Sequence, residues 1–342
     1  VSPAEKVVAG IDLGGTAINY TFLDERGQFL IDGLCEHPAR SLDGPTVCLA
    51  QIADGLAVAA KKAGVPVSKL VAAGLDTPGP ASAEGVFSLR GSTNFVHHDW
   101  AGFDVRAGVE ERLGIPVTYL NDGNAAALWG HASLFGSENT ATSVSAIIGT
   151  GLGGGVITAG RVVTGRNGFG GELGHVLIPY RDIPGIDGLV PRCNCGRVGD
   201  LESLCSLTAI RQSLLPHFLR HYPDHPLAAE PDIAAAAKLV RGLATRGDAM
   251  CRQIFQVQAR ALGLFFDEMI NIFDPDALVV GGGAVEADEA FRQWFLGEIR
   301  AGMPDQREEQ AAIPIHVISS GDSAGARGAA LDAARLVRER GL

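Results

Sequence analysis

The segment Cys193-Asn194-Cys195-Gly196 puts two thiols one residue apart, ahead of a glycine turn. Thiols at this spacing can open a zinc site, but structural zinc takes four ligands. No cysteine follows at the next suitable position. Asp200 stands there, and a carboxylate can also ligate zinc. The residues leave two readings open: a metal centre with mixed donors, or two buried thiols without metal. A second kind of chemistry is offered by three glycine turns, Gly10 to Thr16 (GIDLGGT), Ile147 to Gly155 (IIGTGLGGG) and Val279 to Val285 (VVGGGAV). Each follows an apolar run. Without side chains in the way, their backbone N–H groups can approach an anionic or planar ligand closely. One such turn usually signals only a tight bend. Three in one chain, with Asp12 inside the first, point to a shared ligand carrying phosphate.

These turns must be held by strands and helices in alternation. Residues 6–14 read as a strand, residues 46–65 as a helix stopped at Gly64, residues 105–114 as a helix, 115–122 as a strand and 123–136 as a helix. A second glycine-punctuated set starts at Ser143, with strands to Gly165. Helices follow over 207–222 and 248–273, then strands at 277–285 and 313–320, and a terminal helix over 325–340. The expectation is an α/β fold in two domains. Residues 1–121 form the first, joined by a terminal helix over 324–342, and 122–323 form a larger second one.

Composition narrows the function. With 46% hydrophobic and 20% charged residues, the 342-residue chain can bury large cores, and a net charge of −11 argues against a nucleic-acid surface. No apolar run reaches membrane-spanning length, and the first residues, VSPAEK, carry no export signal. Six cysteines are too few for a disulfide scaffold, so a cytoplasmic, reducing location is expected. No P-loop is present. GTGLGG matches a dinucleotide fingerprint by letters, but a strand rather than a helix is expected after it.

The ordered set DLGGT, GTGLGGG and GGGAV resembles the nucleotide site of the actin-like ATPase superfamily (ribonuclease H-like fold), which has its active-site cleft between two domains. LNDGNAAALWG (Leu120 to Gly130), GELGH (Gly171 to His175), CNCG and DLES narrow the resemblance to the ROK family of repressors and sugar kinases. It covers nearly the whole chain. It implies ATP-dependent phosphorylation of a hexose, glucose first, with Asp122 as general base. From the residue alone, a helix cap is the more usual role for Asp122; the resemblance, with Asn121 beside it, reverses that order.

The resemblance assigns sugar contacts to Asn94, Asn121, Asp122, Glu172, His175 and Glu202, with Ser92 and Thr93 as helpers. DTPGP (Asp76 to Pro80) resembles a turn beneath the sugar, or is a plain Pro-Gly turn. Asp12 would serve Mg²⁺, Gly14, Gly15, Thr16, Thr150 and Gly151 the phosphates, and Gly282 and Gly283 the adenosine. Many relatives hold a structural zinc on one His and three Cys. Here His175, Cys193 and Cys195 match and Asp200 replaces the last thiol. Cys205 is expected on the next helix, badly placed to substitute. The Pro- and Gly-rich loop 176–192 is longer than the family pattern and is expected at the surface. N-acetylmannosamine, N-acetylglucosamine and fructose are alternative acceptors, and polyphosphate an alternative donor. A sugar-responsive repressor is disfavoured, since the first strand leaves no room for a helix-turn-helix. A homodimer or homotetramer is expected, without nucleic-acid or membrane partners.

Overall fold

The computed structural model describes residues 5–89, 94–137, 139–304, 307–318 and 323–342. In chain order the elements begin with β1 (Val7–Leu13), β2 (Ala17–Asp24), β3 (Glu36–Pro38), α1 (Pro45–Ala63), β4 (Leu70–Thr77), α2 (Val105–Leu113), β5 (Val117–Asn121) and α3 (Asp122–Phe135). They continue with β6 (Ser143–Ile148), β7 (Leu152–Thr158), β8 (Arg161–Val162), α4 (Leu207–Ala209), α5 (Leu215–His221), α6 (Ile233–Thr245), α7 (Ala249–Phe273), β9 (Ala277–Gly282), α8 (Glu289–Gly302), α9 (Glu308–Ala311), β10 (Ile315–Val317) and α10 (Ala324–Arg340). Among the described residues no helix is long and apolar enough to cross a membrane.

Two compact units result. One comprises Val1–Asn139, Gly155–Gly171 and Ser320–Leu342, the other Thr140–Gly154 and Glu172–Ser319. The expected boundary after residue 121 differs from this division, which falls after α3 instead. The reason is packing: α3 lies against α10, within the first unit. Gly328 makes this close approach possible, because a Cβ there would strike the Ala125 carbonyl.

The first unit is built on a sheet of order β3-β2-β1-β4-β5, with β1, β4 and β5 parallel and β2 antiparallel to β1. Strand alternation sorts its two faces. Val7, Ala9, Ile11 and Leu13 join a core with Cys48, Ile52, Leu56 and Ala59 of α1, while Val8 and Ala72 pack on Ala330 and Ala333 of α10. On this second face Gly10 and Gly74 are register partners. A Cβ on either would lie 1.9 Å from a carbonyl of α10, so only glycine lets the helix settle there.

The other sheet has the order β10-β9-β6-β7-β8, with β6 and β10 parallel to β9; β10, β9 and β6 belong to the second unit, β7 runs from it into the first, and β8 belongs to the first. Helices α6, α7 and α8 pack together beside it, with Phe255 of α7 edge-on to Phe291 and Phe295 of α8. The helix expected over 207–222 is interrupted by a π-helical segment, Ile210–Leu214, between α4 and α5. Pro216, two residues past its end, lacks the N–H needed for the regular ladder.

Candidate active site

In parallel α/β sheets, ligands gather at the carboxyl ends of the strands. In the first unit those ends carry the acidic residues. Asp12 of β1 is the register partner of Asp76 of β4, and Thr77 pairs with Asn121 of β5. Asp76 is fully buried, and its carboxyl has the Asp12 carboxyl beside it rather than an N–H donor among the described residues. Desolvation raises its pKa well above the aspartate range, and the charges of Asp12 and Asp122 add to the shift. The three carboxyls therefore share one electrostatic environment. The sequence offered Asp76 only as part of a turn; its burial was not visible there.

Asp122 is the first residue of α3 and is exposed. The helix cap is its neighbour: Asn121 Oδ1 accepts the Gly123 N–H at 2.9 Å. Asp122 Oδ1 accepts the same N–H at 2.7 Å, which orients the carboxyl beside the helix N-terminus.

The turn between β1 and β2 is closed by the Gly14 N–H donating to the Ala17 carbonyl at 3.0 Å, and Thr16 stands exposed on it. Asn94 packs over Gly15, where a Cβ would lie 2.9 Å from the Asn94 Cβ. Ser41, a residue the sequence did not single out, fixes this pair. Its buried hydroxyl reaches the carbonyls of Gly15 and Asn94, and its own carbonyl accepts the Trp100 indole N–H at 2.8 Å. Ser92 and Thr93 lie outside the described residues. Asn124, two residues along from Asp122 and also unremarked in the sequence, is buried and donates to the Gly170 carbonyl at 3.0 Å, which holds the segment leading to Glu172.

The second unit brings its own glycine turns side by side. Ile148 of β6 pairs with Gly282 of β9, and the Gly283 N–H donates to the Ile148 carbonyl at 3.0 Å. Thr150, Gly151, Gly282 and Gly283 thus share one end of the sheet. The turn's carbonyls are taken by the start of α4: Leu207 N–H donates to Gly149 and Thr208 N–H to Thr150.

Glu172, His175 and Glu202 also belong to this unit. Desolvation raises the Glu172 pKa; His175 opposes the shift and the Glu202 charge adds to it. His175 closes a short 3-10 turn, Leu173–His175. Its Nδ1 lies 3.1 Å from Asp200 Oδ2 and 3.8 Å from Cys193 Sγ, and Cys195 Sγ lies 3.6 Å from the same Asp200 oxygen. Single donor atoms of His175, Cys193, Cys195 and Asp200 all fall within 4.8 Å of one another. The hydrogen bond to Asp200 raises the His175 pKa. Burial pushes Asp200 upward, but the bonds from His175, Cys193 and Ser203 outweigh it and hold the carboxylate below its ordinary range. One imidazole, two thiols and a carboxylate in that space fit a tetrahedral zinc. Cys205 is buried elsewhere, with its thiol donating to the Gln258 carbonyl at 3.1 Å.

The loop 176–192 is anchored rather than loose. Ile183 and Ile186 are buried, and His217 Nε2 of α5 lies 3.1 Å from the Gly185 carbonyl. Leu177 and Val190 remain exposed.

Comparison with known proteins places these features in a family context. Residues 8–335 match the family model described as the ROK family. A glucokinase of Thermotoga maritima is 30% identical over 97% of this chain and 97% of its own. An N-acetyl-D-glucosamine kinase of Escherichia coli is 28% identical over 94% of this chain and 97% of its own. Among solved structures, a ROK hexokinase from Thermus thermophilus superposes with a TM-score of 0.75 at 30% identity, covering 97% of this chain and 99% of that one. A ROK-family glucokinase from Streptomyces griseus, in complex with glucose and AMPPNP, gives 0.72 at 26% identity, covering 96% and 99%.

Proposed function

The chain belongs to the ROK family and is an ATP-dependent sugar kinase with the actin-like ATPase fold, and on that premise we propose that its acceptor is a hexose, glucose first, phosphorylated with Asp122 as general base. The observation that carries this reading is the Asp122 carboxylate, exposed at the carboxyl end of β5 and within electrostatic reach of Asp76. A kinase of a hydroxyl must align that oxygen with the γ-phosphate and accept its proton as the new bond forms. An exposed carboxylate oriented at a helix start can do both.

Asn94, Asn121, Glu172, His175 and Glu202 supply the donors and acceptors that a polyhydroxylated ring requires. Gly14, Gly15, Thr16, Thr150 and Gly151 would meet the phosphates, and Gly282 and Gly283 the adenosine. Magnesium suits the first unit, because the carboxyls around Asp76 form the oxygen-rich, anionic surroundings that a hard cation takes; Asp12 would hold it, directly or through water. When bound, it would neutralise charge on the transferring phosphoryl group. Zinc suits His175, Cys193, Cys195 and Asp200 and would act structurally, fixing the loop that presents His175 and Glu202. A dimer or tetramer fits the family.

Glucose as first acceptor rests on the Thermotoga and Streptomyces relatives. A second reading, an N-acetylated amino sugar as acceptor, rests on the Escherichia coli relative. A coupled kinase assay over glucose, fructose, mannose, N-acetylglucosamine and N-acetylmannosamine, with ATP and with polyphosphate, decides between them. Glucose with ATP is expected to give the highest kcat/KM. A higher value for an N-acetylated sugar would replace the first reading with the second.

A further inference from the structure

We propose that Glu202 is a positioning residue for the nucleotide-side turn Gly149–Leu152, in addition to the sugar contact proposed for it. This rests on the kinase reading above and extends it to the donor side. Glu202 Oε2 accepts the Leu152 N–H at 2.9 Å. The carboxyl sits so close beneath the turn that a Cβ on Gly151 would lie 2.5 Å from the same oxygen. The other oxygen, Oε1, lies 3.3 Å from Cys193 Sγ, a contact in which the thiol donates when no metal is bound.

The backbone is held as firmly. Glu202 N–H donates to the Gly174 carbonyl at 2.8 Å, and the Ser206 hydroxyl donates to the Glu202 carbonyl at 2.9 Å. A few residues on, Leu207 and Thr208 bond the Gly149 and Thr150 carbonyls at 3.0 and 3.1 Å. One short segment, 202–208, therefore grips the turn from both sides. Its main chain takes the turn's carbonyls, and the Glu202 carboxylate takes the N–H that follows them. A glycine-rich turn has little stiffness of its own. One bond lies within the turn, from the Gly149 N–H to the Gly151 carbonyl at 2.9 Å, and the rest of its hold comes from Glu202 and the start of α4, so affinity for a nucleotide depends on Glu202 even when no sugar is present.

The test is calorimetric binding of magnesium AMPPNP without sugar, for wild type, Glu202→Gln, Glu202→Asp and Glu202→Ala, with glucose binding measured separately. Glu202→Ala leaves the Leu152 N–H without its acceptor, and nucleotide affinity is expected to fall about tenfold. Glu202→Asp keeps the charge but shortens the reach, and is expected to fall similarly; it also serves if the alanine variant fails to fold. Glu202→Gln retains an acceptor for Leu152 and is expected to stay within about threefold of wild type for nucleotide. Nucleotide affinities of the Ala and Asp variants equal to wild type, with glucose binding lost, would overturn the inference. Hydrogen exchange over residues 149–153 gives a second readout that needs no ligand. Faster exchange in Glu202→Asp than in wild type supports the positioning role, and unchanged exchange contradicts it. A wild-type chain that binds no nucleotide would sink the kinase reading instead, and the exchange data would still decide this one.

Discussion

Asp12 and Asp76 stand opposite each other in the register of β1 and β4, and the Asp76 carboxyl is wholly buried. The parallel pairing forces this neighbourhood, since both side chains must emerge on the same face at the same height. A buried carboxyl beside a second one cannot ionise cheaply. The carboxyl end of the sheet is thus charged by Asp12 and Asp122 and backed by a group that resists charging.

That arrangement has a stability signature. Because the folded-state pKa of Asp76 is raised, the native state binds more protons than the unfolded chain. Its contribution is full below the ordinary value of 3.8 and is lost as pH rises through the raised one. Asp76→Asn, which cannot ionise, removes this term. Urea unfolding of metal-free protein between about pH 5 and about pH 8 should show stability falling less with pH in the variant than in wild type. Parallel curves would mean that Asp76 is not burdened as described.

The donor cluster at His175 predicts metal content. Protein purified without chelator is expected to carry one equivalent of zinc by elemental analysis, and chelation should lower its melting temperature. Cys193→Ala should lose the metal. Asp200→Cys, which restores a third thiolate, should hold zinc more tightly than wild type. Metal-free wild type with an unchanged melting temperature would leave the four residues as a hydrogen-bonded cluster only.

Sugar binding should weaken in acid earlier than an ordinary glutamate would cause. The Glu172 pKa lies above its usual 4.5, so its carboxylate is protonated at higher pH and KM for the sugar should rise there. Glu202 contributes to that shift by repulsion. In Glu202→Gln the acid limb of kcat/KM against pH should therefore move to lower pH, whatever the loss in absolute affinity. Movement to higher pH would contradict the arrangement.

Ser41 supports Asn94 without being expected to touch a ligand. Ser41→Ala removes the hydroxyl that the carbonyls of Gly15 and Asn94 share. It should cost about 1 kcal/mol of stability and raise the sugar KM more than it lowers kcat. A KM unchanged despite the lost stability would separate Ser41 from the site.

Much of this was legible from apolar runs ending in glycines, because strand and turn are both local properties. Gly64 and Gly114 stop α1 and α2 where expected, in the left-handed conformation. The family resemblance, rather than spacing alone, anticipates the convergence of Cys193, Cys195 and Asp200 with His175. Helices α6 and α8 went unread, although Asp232 and Asp288 cap them, because alanines and scattered charges blur their periodicity. The division between units depends on α3 docking against α10, a contact between residues about two hundred positions apart that no local pattern encodes. Ser41, Asn124 and the second role of Glu202 were hidden for another reason. Their partners are backbone groups, and every residue offers those alike.

The proposed reaction turns on Asp122 removing the proton from the accepting hydroxyl. Asp122→Asn keeps the shape and the bond to the Gly123 N–H but cannot act as a base. Steady-state turnover with ATP and glucose, measured beside calorimetric glucose binding, tests it most directly. The expected result is a fall in kcat of about 10²–10⁴-fold with glucose affinity close to wild type. Turnover within a few-fold of wild type would contradict the claim.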